Sequence, residues 1–199
     1  VTKNVADMVL SDDNFATIVY AVEEGRRIYE NIRKTIQYLL GANLSEVVSI
    51  FAATLMGNRL FAPIHILWIN LVTDTFPAMA LGMERAEKDA MHKPPRDPKE
   101  SLFADSLGAD VIYQGMLIAG LTLASFFLGR AVSHITGMTM AFVTLSMCEV
   151  FHAVNLRSRN NSIFAMGGRN VFIWGAMALS TLLTLGVVYI PGINTVFEL

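Results

Sequence analysis

The chain has 199 residues, of which 53% are hydrophobic and only 16% are charged, and its formal net charge is −2. Soluble domains of this length usually carry charged residues at about a quarter of their positions, so the composition argues against a soluble domain. The single cysteine, Cys148, excludes an intrachain disulfide. The expected partner is the lipid bilayer, and no nucleic-acid partner is expected.

The N-terminal segment differs in pattern from the rest of the chain. Residues 5–10 (VADMVL) predict a short strand, and residues 1–12 are interpreted as the end of a cytoplasmic domain. No proline occurs in 13–56, and a helix over this range would be roughly 65 Å long, twice the bilayer core. The sequence therefore predicts a long cytoplasmic stalk helix that continues into a membrane span. Candidate N-cap residues for this helix are Ser11, Asp12 and Asp13.

Five apolar stretches are long enough to cross a hydrocarbon core of about 30 Å, which needs roughly 20 helical residues. Lipid cannot hydrogen-bond open backbone groups, so each stretch is predicted to be a helix. The predicted fold class is therefore an all-α membrane protein, a helical bundle of five spans. In chain order the spans are 35–56, at the end of the stalk helix, and then 60–83, 109–129, 135–156 and 171–193.

The basic residues indicate how the bundle is oriented. All but two of the 15 Lys and Arg residues lie in the N-terminal extension or in the loops 84–108 and 157–170. Arg59 and Arg130 are the two exceptions. Because basic residues are enriched on the cytoplasmic side, the N-terminus and both loops are predicted to be cytoplasmic, and the tail 194–199 is not.

Three acids, Glu46, Asp74 and Glu149, lie near the middle of three different predicted spans. An ionised acid at a helix centre costs about 2.5–3.5 kcal/mol on insertion scales. These three spans contain no Lys or Arg that could pair with the acids, so protonation or a bound cation must remove the cost. A lone Glu149 could be a protonated packing residue, but three unpaired acids favour one common explanation.

The neighbours of these acids favour the cation. Asn43 and Glu46 are three residues apart, and Thr73 and Asp74 follow Asn70 by three and four residues, so each set shares a helix face. Carboxylate, amide and hydroxyl groups supply only hard oxygen, which suits Ca²⁺ better than zinc or copper. The predicted metal ligands are Asn43, Glu46, Asn70, Thr73, Asp74 and Glu149.

Pro77 lies three residues after Asp74 and cannot donate a backbone hydrogen bond. We expect it to break the second span and to free backbone carbonyls near the acid, as in transporters with interrupted helices. An alternative stays open for single polar residues such as Thr73, because a lone Thr or Asn within a span commonly joins neighbouring helices.

Several runs of the chain resemble type II P-type ATPases of the calcium-pump branch. MVLSDDNFATIVYAVEEGRRIY is similar to the end of the phosphorylation domain, and GANLSEVV and LWINLVTDTFPAMALG are similar to the fifth and sixth transmembrane helices. KPPRDPKESL resembles the loop that follows, and TMAFVTLSMCEVFHAVN the eighth helix. The resemblance is specific through residue 103 and weaker beyond it. It implies that the five spans are helices five to nine of such a pump.

The resemblance also implies roles for the six predicted ligands. In two-site pumps of the reticulum type, the positions of Asn43, Glu46, Thr73 and Glu149 belong to the first ion site. Asn70 corresponds to the second site, and Asp74 bridges the two.

The implied transported ion is Ca²⁺, whereas ATP and Mg²⁺ act only in a full-length parent. The actuator, nucleotide-binding and phosphorylation domains, helices one to four and helix ten would then lie outside this chain. No catalytic or cofactor-binding residue is expected within it. The short loop at 130–138 favours a bacterial relative in the plasma membrane.

The sequence therefore predicts the ion-binding transmembrane portion of an ATP-driven pump that exports Ca²⁺ from the cytoplasm, with proton counter-transport. Two alternatives remain. One is a P-type pump for another cation, such as Na⁺, K⁺ or H⁺, and the other is a secondary transporter that uses the same acids without ATP.

Overall fold

The computed structural model describes residues 9–10, 14–86, 91–92, 94–95, 101–103, 106–158 and 170–199. This part of the chain is helical and contains no strand, which confirms the all-α prediction. Its elements are α1 (Phe15–Leu55), α2 (Pro63–Trp68), a π-helical segment (Ile69–Asp74), α3 (Thr75–Gly82), α4 (Leu107–Arg130), α5 (His134–Asn155), α6 (Val171–Tyr189) and α7 (Ile193–Val196).

Within the residues that the structure describes, five helical stretches are long and apolar enough to cross a membrane, as predicted. They are α1, the continuous run from α2 through the π segment to α3, and then α4, α5 and α6. The strand predicted at 5–10 lies outside the described residues, apart from 9 and 10, which belong to no strand. The last span ends at Tyr189, four residues before the predicted end. The reason is local, because Pro191 lacks an N–H and Gly192 has a φ of 92°.

The first helix has 41 residues and is therefore roughly 60 Å long. It begins after Asn14, whose side-chain oxygen accepts a hydrogen bond from the amide of Ala16 at 3.0 Å. Asn14 is thus the N-cap of the helix, one residue beyond the predicted candidates. The helix ends before Gly57, whose φ of 72° is the left-handed conformation common after a helix C-terminus. That the N-terminal part of α1 is a cytoplasmic stalk stays a prediction.

One end of the bundle is held by a buried polar network around Glu84. Arg157 donates two hydrogen bonds to the Glu84 carboxylate, at 2.9 and 3.2 Å, and Asn170 donates a third at 2.9 Å. The Asn31 amide donates to the backbone carbonyl of Glu84 at 2.7 Å, and Lys34 donates to that of Arg157 at 2.8 Å. The network therefore joins α1, the end of α3, the end of α5 and the start of α6.

The opposite end of the bundle is closed by the C-terminal tail. His65, at the start of α2, accepts a hydrogen bond from the Ala62 amide at 3.2 Å, and its other ring nitrogen bonds to the carbonyl of Phe197. An exposed ion pair joins Arg59 to Glu198 at 3.4 Å. Because the Glu84 network and this tail lie at opposite ends of the same helices, successive spans alternate in direction.

Helices α4 and α5 are in close contact at two glycines. A Cβ on Gly129 would lie 2.9 Å from the Cα of Gly137, and a Cβ on Gly137 would lie 2.9 Å from the carbonyl oxygen of Phe126. Neither contact leaves room for a side chain, and both involve backbone atoms that cannot rotate away. Small residues allow this kind of close packing between membrane helices.

We predict that Gly137→Ala destabilises the protein by about 1–3 kcal/mol, because the added methyl group forces the two helices apart. Thermal unfolding in detergent measures the effect. Gly120→Ala is the matched control, since Gly120 is on the outer face of α4 and no atom of another helix lies within 4 Å of the position that its Cβ would take. Equal unfolding temperatures for the two variants would contradict the prediction.

Candidate ion-binding site

The three acids singled out from the sequence come from three different helices and meet inside the bundle. Glu46 is on α1, Asp74 ends the π segment and Glu149 is on α5. One carboxylate oxygen from each residue lies within 4.8 Å of the other two. All three side chains are buried, with Glu149 completely inaccessible to solvent. The structure thus brings these acids together, and their role as metal ligands stays a prediction.

Two of the predicted neutral ligands also contact this group. The Asn70 amide nitrogen lies 3.2 Å from each carboxylate oxygen of Glu46. The Thr73 hydroxyl donates to the Ile69 carbonyl at 2.8 Å, and its oxygen lies 3.3 Å from the carboxylate of Glu149. Both residues belong to the π segment, which therefore lies between the acids of α1 and α5. Five of the six predicted ligands form one connected cluster, here called the acidic cluster: Glu46, Asn70, Thr73, Asp74 and Glu149.

Asn43 is the predicted ligand that the structure does not bring into the acidic cluster. Its side chain is exposed and donates to the carbonyl of Leu39, one turn earlier on the same helix, at 2.7 Å. Residues three apart on a helix differ by about 60° in direction, so Glu46 can face the bundle while Asn43 lies at its edge. A ligand role for Asn43 stays a prediction.

Two oxygens of the acidic cluster are left without a partner. Among the described residues, Asp74 Oδ2 and Glu149 Oε1 are buried and accept no hydrogen bond. A buried polar atom without a partner is costly, and a buried charge more so. Calcium–oxygen distances of about 2.3–2.6 Å place two ligands on one ion up to roughly 5 Å apart. One oxygen from each of the three acids meets that limit, so a single hard cation could contact all three carboxylates.

The second span is not broken at Pro77, and this part of the sequence prediction is wrong. The chain stays helical but widens into the π segment, where a carbonyl typically pairs with an amide five residues on. Pro77 has no N–H. It therefore cannot donate a hydrogen bond to the carbonyl of Val72, five residues earlier, or to that of Thr73, four residues earlier. The Val72 carbonyl accepts a hydrogen bond from the hydroxyl of Ser180 on α6 at 3.1 Å, and the Thr73 carbonyl accepts one from Tyr38 on α1 at 2.9 Å.

Tyr38 and Ser180 were not singled out from the sequence. Tyr38 is fully buried, and its hydroxyl also lies 3.3 Å from Asp74 Oδ1, so it contacts the acidic cluster directly. A phenol eight residues before Glu46 in an apolar run was one available signal. For Ser180, the signal was a second hydroxyl, Thr184, four residues later on the same face of an otherwise apolar span. The carbonyls of the two residues just before Asp74 in the chain are thus engaged by side chains of α6 and α1.

Comparison with known proteins identifies the family. Residues 58–199 match the family described as "Cation transporting ATPase, C-terminus". The chain belongs to the cation-transporting ATPases. Similar proteins include a calcium-transporting ATPase of Bacillus subtilis, 43% identical over 100% of this chain, and calcium-transporting ATPase 1 of Bacillus cereus, 41% identical over 99%. A calcium-transporting ATPase of Listeria monocytogenes is 38% identical over the whole chain.

This cation-transporting ATPase chain spans only 23–24% of the length of those relatives. It corresponds to the C-terminal membrane part of a P-type ATPase, which confirms the resemblance seen in the sequence. The family match begins at residue 58, after α1, whereas the match to the Bacillus subtilis protein covers α1 as well.

Proposed function

We propose that the chain is the ion-binding portion of an ATP-driven pump that exports Ca²⁺ from the cytoplasm. The observation that carries this proposal is the acidic cluster, in which three buried carboxylates from three helices lie within 4.8 Å of one another. Their charge is best compensated by a divalent cation, because residues 35–56, 60–83 and 135–156, which carry them, contain no Lys or Arg. The names of the relatives support calcium as that cation.

In this proposal a bound ion takes the place of the present contacts within the acidic cluster. Asn70 now presents its amide nitrogen to Glu46, and a rotation of the amide group would present its oxygen to a cation. Glu46 and Glu149 would supply carboxylate oxygens, and Thr73 its hydroxyl oxygen. Asp74, which ends the π segment between them, would bridge the positions of two ions. When the ions leave, protons would neutralise the carboxylates, which gives proton counter-transport.

The length of α1 supports a coupling role. Glu46 lies about 30 residues, roughly 45 Å, from the start of the helix, so a rigid α1 would carry motion from a distant domain to the acidic cluster. ATP and Mg²⁺ would bind upstream domains of the complete pump. The distribution of Lys and Arg supports a cytoplasmic N-terminus. The relatives come from bacteria, which supports the bacterial plasma membrane as the location.

The proposal is tested with the complete pump in inside-out membrane vesicles. We expect ATP-dependent uptake of radioactive calcium and a phosphorylated intermediate that forms from ATP only when Ca²⁺ is present. If Na⁺, K⁺ or H⁺ triggers phosphorylation and Ca²⁺ does not, the transported ion is that cation and not calcium. If uptake is driven by an ion gradient, no phosphorylated intermediate forms and no DKTG motif is encoded upstream, the protein is a secondary transporter and not a pump.

A further inference from the structure

The π segment depends on hydrogen bonds from outside its own helix. It contains Asn70, Thr73 and Asp74, three of the five residues of the acidic cluster, within six residues. Pro77 removes the amide that would bond to the Val72 carbonyl in π geometry or to the Thr73 carbonyl in α geometry. A buried carbonyl that loses its helical partner needs another donor, since lipid offers none.

Two helices supply these donors from different directions. Tyr38 of α1 donates to the Thr73 carbonyl, and Ser180 of α6 donates to the Val72 carbonyl at 3.1 Å. Ser180 is fully buried, and α6 contributes no residue to the acidic cluster. A buried serine in a span whose other residues are mostly apolar is costly unless its hydroxyl is used. The bond to Val72 is the use that the structure shows.

The Val72 carbonyl belongs to the peptide plane that joins Val72 to Thr73. A peptide unit is planar, so a hydrogen bond that fixes this oxygen also fixes the direction in which the chain enters Thr73 and Asp74. Without that bond, no hydrogen bond from the described part of α6 opposes a return of the segment to ordinary α geometry. Such a return would turn Thr73 and Asp74 relative to Glu149 and Glu46, because the angle between successive residues differs between π and α helices.

We propose that Ser180 is a positioning residue for the ion site, acting through the Val72 carbonyl to hold the π geometry that directs Thr73 and Asp74 into the acidic cluster. This inference rests on the proposed function, since it concerns ion binding at that same cluster. Ser180 itself touches no carboxylate of the cluster in the described hydrogen bonds, and its effect is therefore on ion affinity and not on the phosphorylation chemistry.

The experiment uses the complete pump and measures how phosphorylation from ATP depends on Ca²⁺ concentration. Ser180→Ala removes only the hydroxyl, and we expect the Ca²⁺ concentration for half-maximal phosphorylation to rise roughly 3- to 10-fold, the usual effect of one hydrogen bond. The maximal phosphorylation level should stay near that of the unsubstituted pump. Ser180→Thr keeps a hydroxyl and should restore most of the affinity.

The matched control is Thr184→Val, one turn further along α6. Thr184 is also fully buried, but its hydroxyl makes no hydrogen bond in the described part of the chain. The change to valine removes a buried hydroxyl at nearly constant volume and should leave the Ca²⁺ dependence unchanged. An equal loss of affinity in both variants would overturn the inference, because it would indicate a general response of α6.

A second comparison uses Pro77→Ala, which returns the backbone N–H that would pair with the Thr73 carbonyl in α geometry or with the Val72 carbonyl in π geometry. In that background the effect of Ser180→Ala should shrink, because the two changes act on one hydrogen-bonding need. A positioning role is contradicted if Ser180→Ala lowers only the maximal phosphorylation level. It is also contradicted if Ser180→Ala changes the Ca²⁺ dependence equally with Pro77 and with Ala at position 77. If the unsubstituted pump forms no Ca²⁺-dependent phosphoenzyme, both the proposed function and this inference fail. If the unsubstituted pump is phosphorylated in a Ca²⁺-dependent way and Ser180→Ala has the same Ca²⁺ dependence, only this inference fails.

Discussion

Asp74→Asn is expected to lower the apparent Ca²⁺ affinity of the complete pump on the order of 100-fold or more, so that phosphorylation no longer responds to ordinary calcium concentrations. The change removes one charge from a buried cluster while keeping the shape of the side chain. Losing one partner of a buried charge pair costs about 2–5 kcal/mol or more, and each 1.4 kcal/mol is a factor of ten. In the proposed site Asp74 bridges the positions of two ions, so its loss should affect both of them.

In the absence of calcium, the same change is expected to preserve or increase the stability of the folded protein. Three carboxylates within 4.8 Å disfavour one another when ionised, and asparagine removes part of that repulsion. The unfolding temperature of Asp74→Asn without Ca²⁺ should therefore equal or exceed that of the unsubstituted protein. The increase in unfolding temperature that Ca²⁺ produces by binding to the folded state should disappear.

Asp110→Asn is the control for this pair of measurements. Asp110 lies in the first turn of α4, outside the acidic cluster, and the variant loses one carboxylate in the same way. It should keep both the calcium response and the stabilisation by Ca²⁺. An Asp74→Asn variant that is still stabilised by Ca²⁺ with unchanged affinity would remove Asp74 from the ion site.

Arg157→Met is expected to destabilise the protein by about 3–5 kcal/mol. The Arg157–Glu84 pair is almost completely buried, with side-chain exposures of 3% and 8%. Methionine would leave the Glu84 carboxylate buried without its bidentate partner. It would also loosen the junction of α1, α3, α5 and α6 at that end of the bundle. Unfolding in denaturant, followed in detergent, measures the loss.

Two further variants test whether the loss comes from an uncompensated charge. The double variant Arg157→Met with Glu84→Gln should recover much of the stability, because it removes both charges. Arg59→Met breaks the exposed pair with Glu198, whose side chains are 55% and 57% exposed, and should cost about 1 kcal/mol or less. Equal losses for Arg157→Met and Arg59→Met would contradict the assigned role of burial.

The same pair predicts a pH dependence. Burial by itself raises the pKa of Glu84, but hydrogen bonds from Arg157 and Asn170 and the charges of Arg157 and Lys34 outweigh it, and the pKa lies below its ordinary value of 4.5. A lowered folded-state pKa means that the ion pair stabilises the protein fully above pH 4.5. This contribution is lost as the pH falls from 4.5 through the folded-state pKa. The acid-induced loss should be smaller in the double variant, which lacks both charges.

The sequence alone predicted the architecture and most of the candidate site. Runs of about 20 apolar residues have few alternatives to a membrane-spanning helix, so the five spans could be read directly. Glu46, Asp74 and Glu149 stood out because an unpaired acid within a span is costly wherever its helix packs. Helical spacing then placed Asn70 and Thr73 beside Asp74. Each of these inferences depends on local composition or on spacing within one helix.

Only the tertiary structure decided which side chains meet. Helical spacing predicted Asn43 as a metal ligand in the same way as Asn70, but the packing of α1 leaves Asn43 at the edge of the bundle. Pro77 was expected to break its helix, whereas the helix continues through it as α3, directly after the π segment. Hydroxyls from α1 and α6 bond to the carbonyls of Thr73 and Val72 shortly before Pro77. Tyr38 and Ser180 are separated from Val72 and Thr73 by dozens of residues, so no pattern within one span could reveal these bonds. They exist because the fold places three helices side by side.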